Sequence, residues 1–143
     1  MGSTSVLAQK SVSALQWSQI YMVGHPRIDQ QHAYLFELYN LIAEAFESGL
    51  GHGVLEPALQ ELLTYAYYHF REEEQLMERL GYRGLAAHRR SHQRLIAEVK
   101  VLITDFRDGQ PVRLYELLAL VRDWLIDHIL QEDMQLRPLL AKW

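Results

Sequence analysis

Stretches of this chain that place apolar residues three and four positions apart are each closed by glycine or proline, and that punctuation commits the backbone to helices. Over residues 29 to about 46, Leu35, Leu38, Tyr39, Ile42, Ala45 and Phe46 keep this spacing until Gly49, Gly51 and Gly53 break it. A second helix is expected to open close to Pro57, since proline is best tolerated in a first turn. It carries Leu62, Leu63, Ala66, Phe70, Leu76 and Met77 to Leu80, with Gly81 as its stop. Residues 85 to about 106 repeat the pattern through Leu95, Ile96, Val99, Leu102 and Ile103, ending at Asp108 and Gly109. Pro111 opens the last helix, with Leu114, Leu117, Leu118, Val121, Trp124, Leu125 and Ile129, and Pro138 discourages regular structure much beyond Leu136. No segment alternates as a strand does. Helices of similar length on short loops run antiparallel to their neighbours, so the expected fold class is all-α, an antiparallel up-down-up-down four-helix bundle. Residues 1–15 are weakly periodic and read as a flexible N-terminal arm, followed by one bundle domain over 16–143.

A chain of 143 residues that is 49% hydrophobic can bury one substantial core. Its net charge of -4, with Arg scattered among Glu and Asp, provides no basic stripe, so no nucleic-acid partner is expected. Every apolar run is interrupted by Arg, Glu, Asp or His, which argues against a membrane span. The N-terminal residues lack the apolar run of a secretory signal, and a cytoplasmic site is the expectation. With no cysteine, any metal would be held by imidazole and carboxylate.

The polar residues then become informative. His32, His69-x3-Glu73, His88-x3-His92 and His128-x4-Asp133 fall inside the helical segments, and each helix contributes. Side chains at i and i+4 share a helix face and can converge on one point. A lone histidine is more often a surface or hydrogen-bonded residue than a ligand. The set carries more weight, because an antiparallel bundle brings all of these positions to one end. The five-residue step from His128 to Asp133 corresponds to about 140° on a regular α-helix, so Asp133 is expected where the last turn loosens or the helix tilts. His25 and His52 are read as solvent-facing. Leu35, Phe70, Trp124, Leu125 and Ile129 lie close to these positions and are candidates for an apolar pocket wall as well as for core.

The stretches IDQQHAYLF, YYHFREEEQLM, HRRSHQ and WLIDHILQED carry a family likeness: over about residues 16 to 140 the chain resembles the single-domain bacterial hemerythrins. The resemblance implies a centre of two iron ions, one held by His88, His92 and His128, the other by His32 and His69. Glu73, Asp133 and a bridging oxo or hydroxo group would link them. Counted so, one iron has six donors and the other five, and dioxygen would take the remaining position. The implied function is reversible dioxygen binding for storage, for delivery to an oxygen-consuming enzyme, or for sensing with a signalling partner, without enzymatic turnover. Alternatives on the same site are a diiron redox catalyst handling peroxide or nitric oxide, and an oxygen- or redox-sensing signalling module.

Overall fold

The computed structural model describes residues 14–141, apart from the side chains of His52, Pro111 and Val112. The arm expected over 1–15 therefore lies outside the described residues as far as residue 13, as does the solvent-facing reading of the His52 side chain. Beyond residue 13 the chain is tied to the bundle. Leu15 is buried, its N–H donates to Asn40 Oδ1 at 2.8 Å, and its carbonyl accepts from Asn40 Nδ2 at 2.7 Å. Trp17 then packs edge-on against Phe36 with ring centroids 5.2 Å apart.

The described residues form four long helices, α1 (Pro26–Glu47), α2 (His52–Leu80), α3 (Leu85–Arg107) and α4 (Pro111–Asp127), with shorter helical turns at either end. Among the described residues there is no strand, and no helix is long and apolar enough to cross a membrane. Consecutive helices pack against each other and α1 closes the ring on α4, which is the up-down-up-down arrangement. The start of α2 departs from expectation: it begins five residues before Pro57, which sits inside the helix. The proline removes the donor that Gly53 C=O would otherwise receive. Gly53 is exposed, so water can take that place, and Leu55 N–H bonds Gly51 O at 3.0 Å to secure the earlier turn.

Two junctions aim the site. At the start of α1, His25 is the N-cap, its Nδ1 accepting from Ile28 N–H at 3.3 Å, with Pro26 in the first turn. His25 is therefore a half-buried capping residue, contrary to the solvent-facing reading, because its position before Pro26 is the end of an extended segment and also a helix boundary. At the end of α2, Gly81 adopts φ 66, and Tyr82 N–H bonds Met77 O at 2.9 Å across it. A tight turn follows, and α3 starts beside the end of α2.

The apolar residues fall into two bodies. The larger holds Phe36, Tyr39, Ile42, Leu59, Leu117, Leu118 and their neighbours along the bundle axis; the smaller joins Val23, Ile28 and Leu76 at one end, with Leu80, Met134 and Leu140 against them. Each such Leu or Ile stabilises the fold by about 1.5–3 kcal/mol through burial. Between the two bodies in sequence on α1 and α2 stand buried polar residues, His32 between Ile28 and Leu35, and Glu73 between Phe70 and Leu76.

Candidate metal centre

His32, His69, Glu73, His88, His92, His128 and Asp133 are all buried, and the four long helices with the segment after α4 bring them together. Glu73, from α2, lies at the middle. Its Oε2 faces His32 Nε2 at 3.2 Å and His69 Nε2 at 3.3 Å; its Oε1 faces His88 Nε2 at 2.8 Å and His92 Nε2 at 3.2 Å, with His128 Nε2 at 3.9 Å. Asp133 spans the same divide. Its Oδ2 is 3.1 Å from His32 Nε2, while Oδ1 is 2.9 Å from His88 Nε2 and 3.1 Å from His128 Nε2. Two carboxylates thus each present one oxygen to a two-imidazole group and the other to a three-imidazole group.

The placement of Asp133 has a local cause. After α4 the helix widens into a π-helical turn, His128–Glu132, in which Asp133 N–H bonds back to His128 O. In an i→i+5 turn, residues five apart return to nearly the same side, which a regular α-helix denies them. A 3-10 turn, Asp133–Leu136, and a short helix α5 (Arg137–Leu140) follow, with Pro138 in the first turn of α5. Regular structure extends past Leu136 because proline fits the start of a new helix even where it would end an old one.

Three of the five outer nitrogens are also held. His69 Nδ1 lies 2.7 Å from Gln31 Oε1, His92 Nδ1 2.8 Å from Glu74 Oε2, and His128 Nδ1 2.7 Å from Glu132 Oε2. Sequence reading left these three partners unidentified. A signal was present for two of them, since Glu132 stands four residues after His128 and Glu74 belongs to the acidic run 72–74, but neither spacing says which nitrogen is met. Of that run, Glu73 is fully buried, Glu72 pairs with Arg27, and Glu74 pairs with His92 and Arg89. Asp29 is a further buried carboxylate that sequence reading missed, and its oxygens accept from Val23 N–H at 2.7 Å and Gly24 N–H at 3.2 Å.

The chemistry of this donor set can be tested against a cation. A carboxylate or amide oxygen on Nδ1 can only accept, so in their neutral forms His69, His92 and His128 donate there and present an Nε2 lone pair inward. Yet His128 Nε2 lies 3.0 Å from His88 Nε2 and 3.1 Å from His92 Nε2, and both Asp133 oxygens are buried with no hydrogen bond. Lone pairs facing lone pairs and carboxylates are stabilised only by positive charge placed among them. The residues therefore fit a bound metal. Acid–base behaviour expresses the same demand. Burial pushes the His32 imidazole down, but the Asp133 and Glu73 carboxylates reverse this and raise it to about 9; His88 likewise reaches about 9 and His128 about 10. Burial would push both carboxyls up, and it also leaves His69 below its ordinary value; the imidazoles around Glu73 and Asp133 override it and hold both carboxyls below the usual range.

Aromatic rings flank the three-imidazole side. Phe70 stacks on His92 with centroids 3.8 Å apart and Trp124 on His128 at 4.1 Å. Beside them lies a wholly apolar cavity of about 30 Å³, whose walls include Leu35, Phe70, Trp124 and Leu125. Leu62, Leu63, Ala66, Leu95, Val99 and Val121 extend it along the bundle. Ile129 is buried in the same core without lining that cavity.

The family model described as "Hemerythrin HHE cation binding domain" matches residues 23–140. Among curated proteins, the bacteriohemerythrin of Pseudomonas paraeruginosa is 34% identical over 119 residues, covering 83% of this chain and 76% of its own length. That of Clostridium acetobutylicum is 30% identical over 124 residues, covering 83% of this chain and 95% of its own. Among solved structures, a crystal structure of a hemerythrin mutant superposes with a TM-score of 0.81 at 27% identity, covering 90% of this chain and 99% of the other.

Proposed function

The chain belongs to the hemerythrin family, and on that premise we propose that it binds dioxygen reversibly at a non-haem diiron centre and performs no catalytic turnover. One observation carries the reading: the inward nitrogens divide unequally, with His32 and His69 on one oxygen of Glu73 and His88, His92 and His128 toward the other. His88, His92 and His128 would hold one iron and His32 and His69 the second, with Glu73, Asp133 and an oxo or hydroxo group as bridges. The second iron would then have one protein donor fewer, leaving room on that side for a small ligand. Two ferrous ions would supply the electrons that make dioxygen binding favourable and reversible.

The chain's own residues account for the rest. Imidazole-rich donation, in contrast with carboxylate-dominated oxidase sites on related bundles, favours binding over oxygen activation. Leu35, Phe70, Trp124 and Leu125 line an apolar space that holds water away from the site. In this reading the protein works in the cytoplasm, storing dioxygen, delivering it to an oxygen-consuming enzyme, or reporting it to a signalling partner.

The test is to load the metal-free protein anaerobically with ferrous iron, count metal per chain, admit oxygen, and then remove it. Two irons and a visible charge-transfer band that appears and disappears with oxygen are the expected result. Rapid turnover of hydrogen peroxide without such a band would replace the reading with a redox catalyst.

A further inference from the structure

Three of the five outer nitrogens of the cluster are held, by groups of different charge, and among these three the difference follows the division between the two imidazole groups. Glu74 Oε2 stands 2.8 Å from His92 Nδ1 and Glu132 Oε2 stands 2.7 Å from His128 Nδ1, both on the three-imidazole side. On the two-imidazole side, His69 Nδ1 meets the neutral Oε1 of Gln31 at 2.7 Å, and His32 Nδ1 is buried with no hydrogen-bond partner among the described residues. The two carboxylates are themselves fixed. Arg89 Nε donates to Glu74 Oε1 at 3.0 Å, and Ser91 Oγ donates to Glu132 Oε2 at 3.2 Å.

We infer that Glu74 and Glu132 are positioning residues that make the two metal positions electronically unequal, the three-imidazole position electron-rich and the two-imidazole position electrophilic. A full negative charge behind an imidazole N–H polarises the ring and strengthens donation from its other nitrogen, whereas an amide oxygen orients the ring with little added charge. His92 and His128 receive the first treatment, His69 the second, and His32 neither. The electrophilic position is the one with fewer protein donors, so charge and ligand count direct a small electron-accepting ligand to the same place. This inference rests on the dinuclear reading above.

The Gln31–His69 contact shows that an amide oxygen can hold an Nδ1 proton at the same distance, so Glu74→Gln and Glu132→Gln remove charge while keeping the hydrogen bond to the imidazole, Glu74→Gln giving up the one from Arg89. Wild type, both variants and Gln31→Glu are titrated anaerobically with ferrous iron-57 alone. Calorimetry reads the two binding steps and Mössbauer spectroscopy the two iron environments. The wild type is expected to bind two ions. Each glutamine variant should weaken one of them by about 10-fold, the same ion in both cases, and alter only that ion's quadrupole doublet. Gln31→Glu should tighten the other ion and move the other doublet, and it carries the test by itself if a glutamine variant folds poorly. Equal effects on both ions, or no effect in any variant, overturn the asymmetry and leave the dinuclear reading standing. A wild-type chain that takes up fewer than two ions overturns both.

Discussion

Leu125 shows how one side chain serves packing and site together. It is 2% exposed, belongs to the main core and forms part of the cavity wall beside the imidazoles. Leu125→Ser should cost about 2–5 kcal/mol of stability, as large-to-small core substitutions do, and should speed autoxidation of the iron-loaded protein several-fold by admitting water. A chemical denaturation curve and the decay of the oxygenated spectrum measure the two effects separately; an unchanged decay would remove Leu125 from the pocket. Asp29 acts on the other side of the site. Asp29→Ala leaves the N–H groups of Val23 and Gly24 without their acceptor, at about 1–3 kcal/mol for each that stays buried. The midpoint of urea unfolding should fall, and a wild-type midpoint would show that water replaces the carboxylate at no cost.

At the scale of elements, the junctions are more specific than the helices they join. Gly81 at φ 66 turns the chain from α2 into α3, with open space where a Cβ would stand. Gly81→Ala should therefore destabilise through backbone strain alone, by about 1–2 kcal/mol, with an unchanged dependence on denaturant concentration. No loss of stability would mean that the turn relaxes without displacing His88. The long helices were legible in sequence because a buried face repeats every three or four residues, and Leu95, Ile96, Val99 and Ile103 announce α3 without help. The start of α2 was not, since Pro57 reads as a first-turn residue although an exposed carbonyl can go without its donor. The widened turn at His128–Glu132 was visible only as a five-residue spacing that a regular helix cannot use.

For the whole molecule, the polar cluster couples metal binding to folding, because α1, α2, α3 and the segment that follows α4 all contribute to it. A ligand that binds only the folded chain stabilises it, by about 2.7 kcal/mol at a concentration 100 times its dissociation constant. Chelation should lower the melting temperature, and identical melting of loaded and stripped protein would contradict the coupling. The pH dependence of the metal-free protein follows from His32, His88 and His128. Each is raised from 6.5 in the folded chain, the first two to about 9 and the last to about 10, so folding favours their protonated forms. Their contribution is fully present below about 6.5 and lost as pH rises toward 9 to 10. The metal-loaded protein, whose imidazoles bind metal only when neutral, should instead gain stability as pH rises toward about 6.5 and hold it above that. Thermal melts of both forms between pH 6 and 10 should diverge; parallel curves would show that these histidines do not hold the proton and the metal in competition.

Local pattern was enough to point to helices, their antiparallel order and a gathering of His32, His69, His88, His92 and His128 at one end, because helical period and loop length are properties of neighbouring residues. The facing of each nitrogen and oxygen was a different matter. Whether Glu72, Glu73 or Glu74 enters the cluster depends on small rotations of α2 against α1 and α3, and the hold of Gln31, Glu74 and Glu132 on the outer nitrogens depends on contacts between side chains. The contacts made by Gln31 and Glu74 join residues far apart in the chain, and that made by Glu132 waits on the shape of the π turn, so they exist only once the helices have packed.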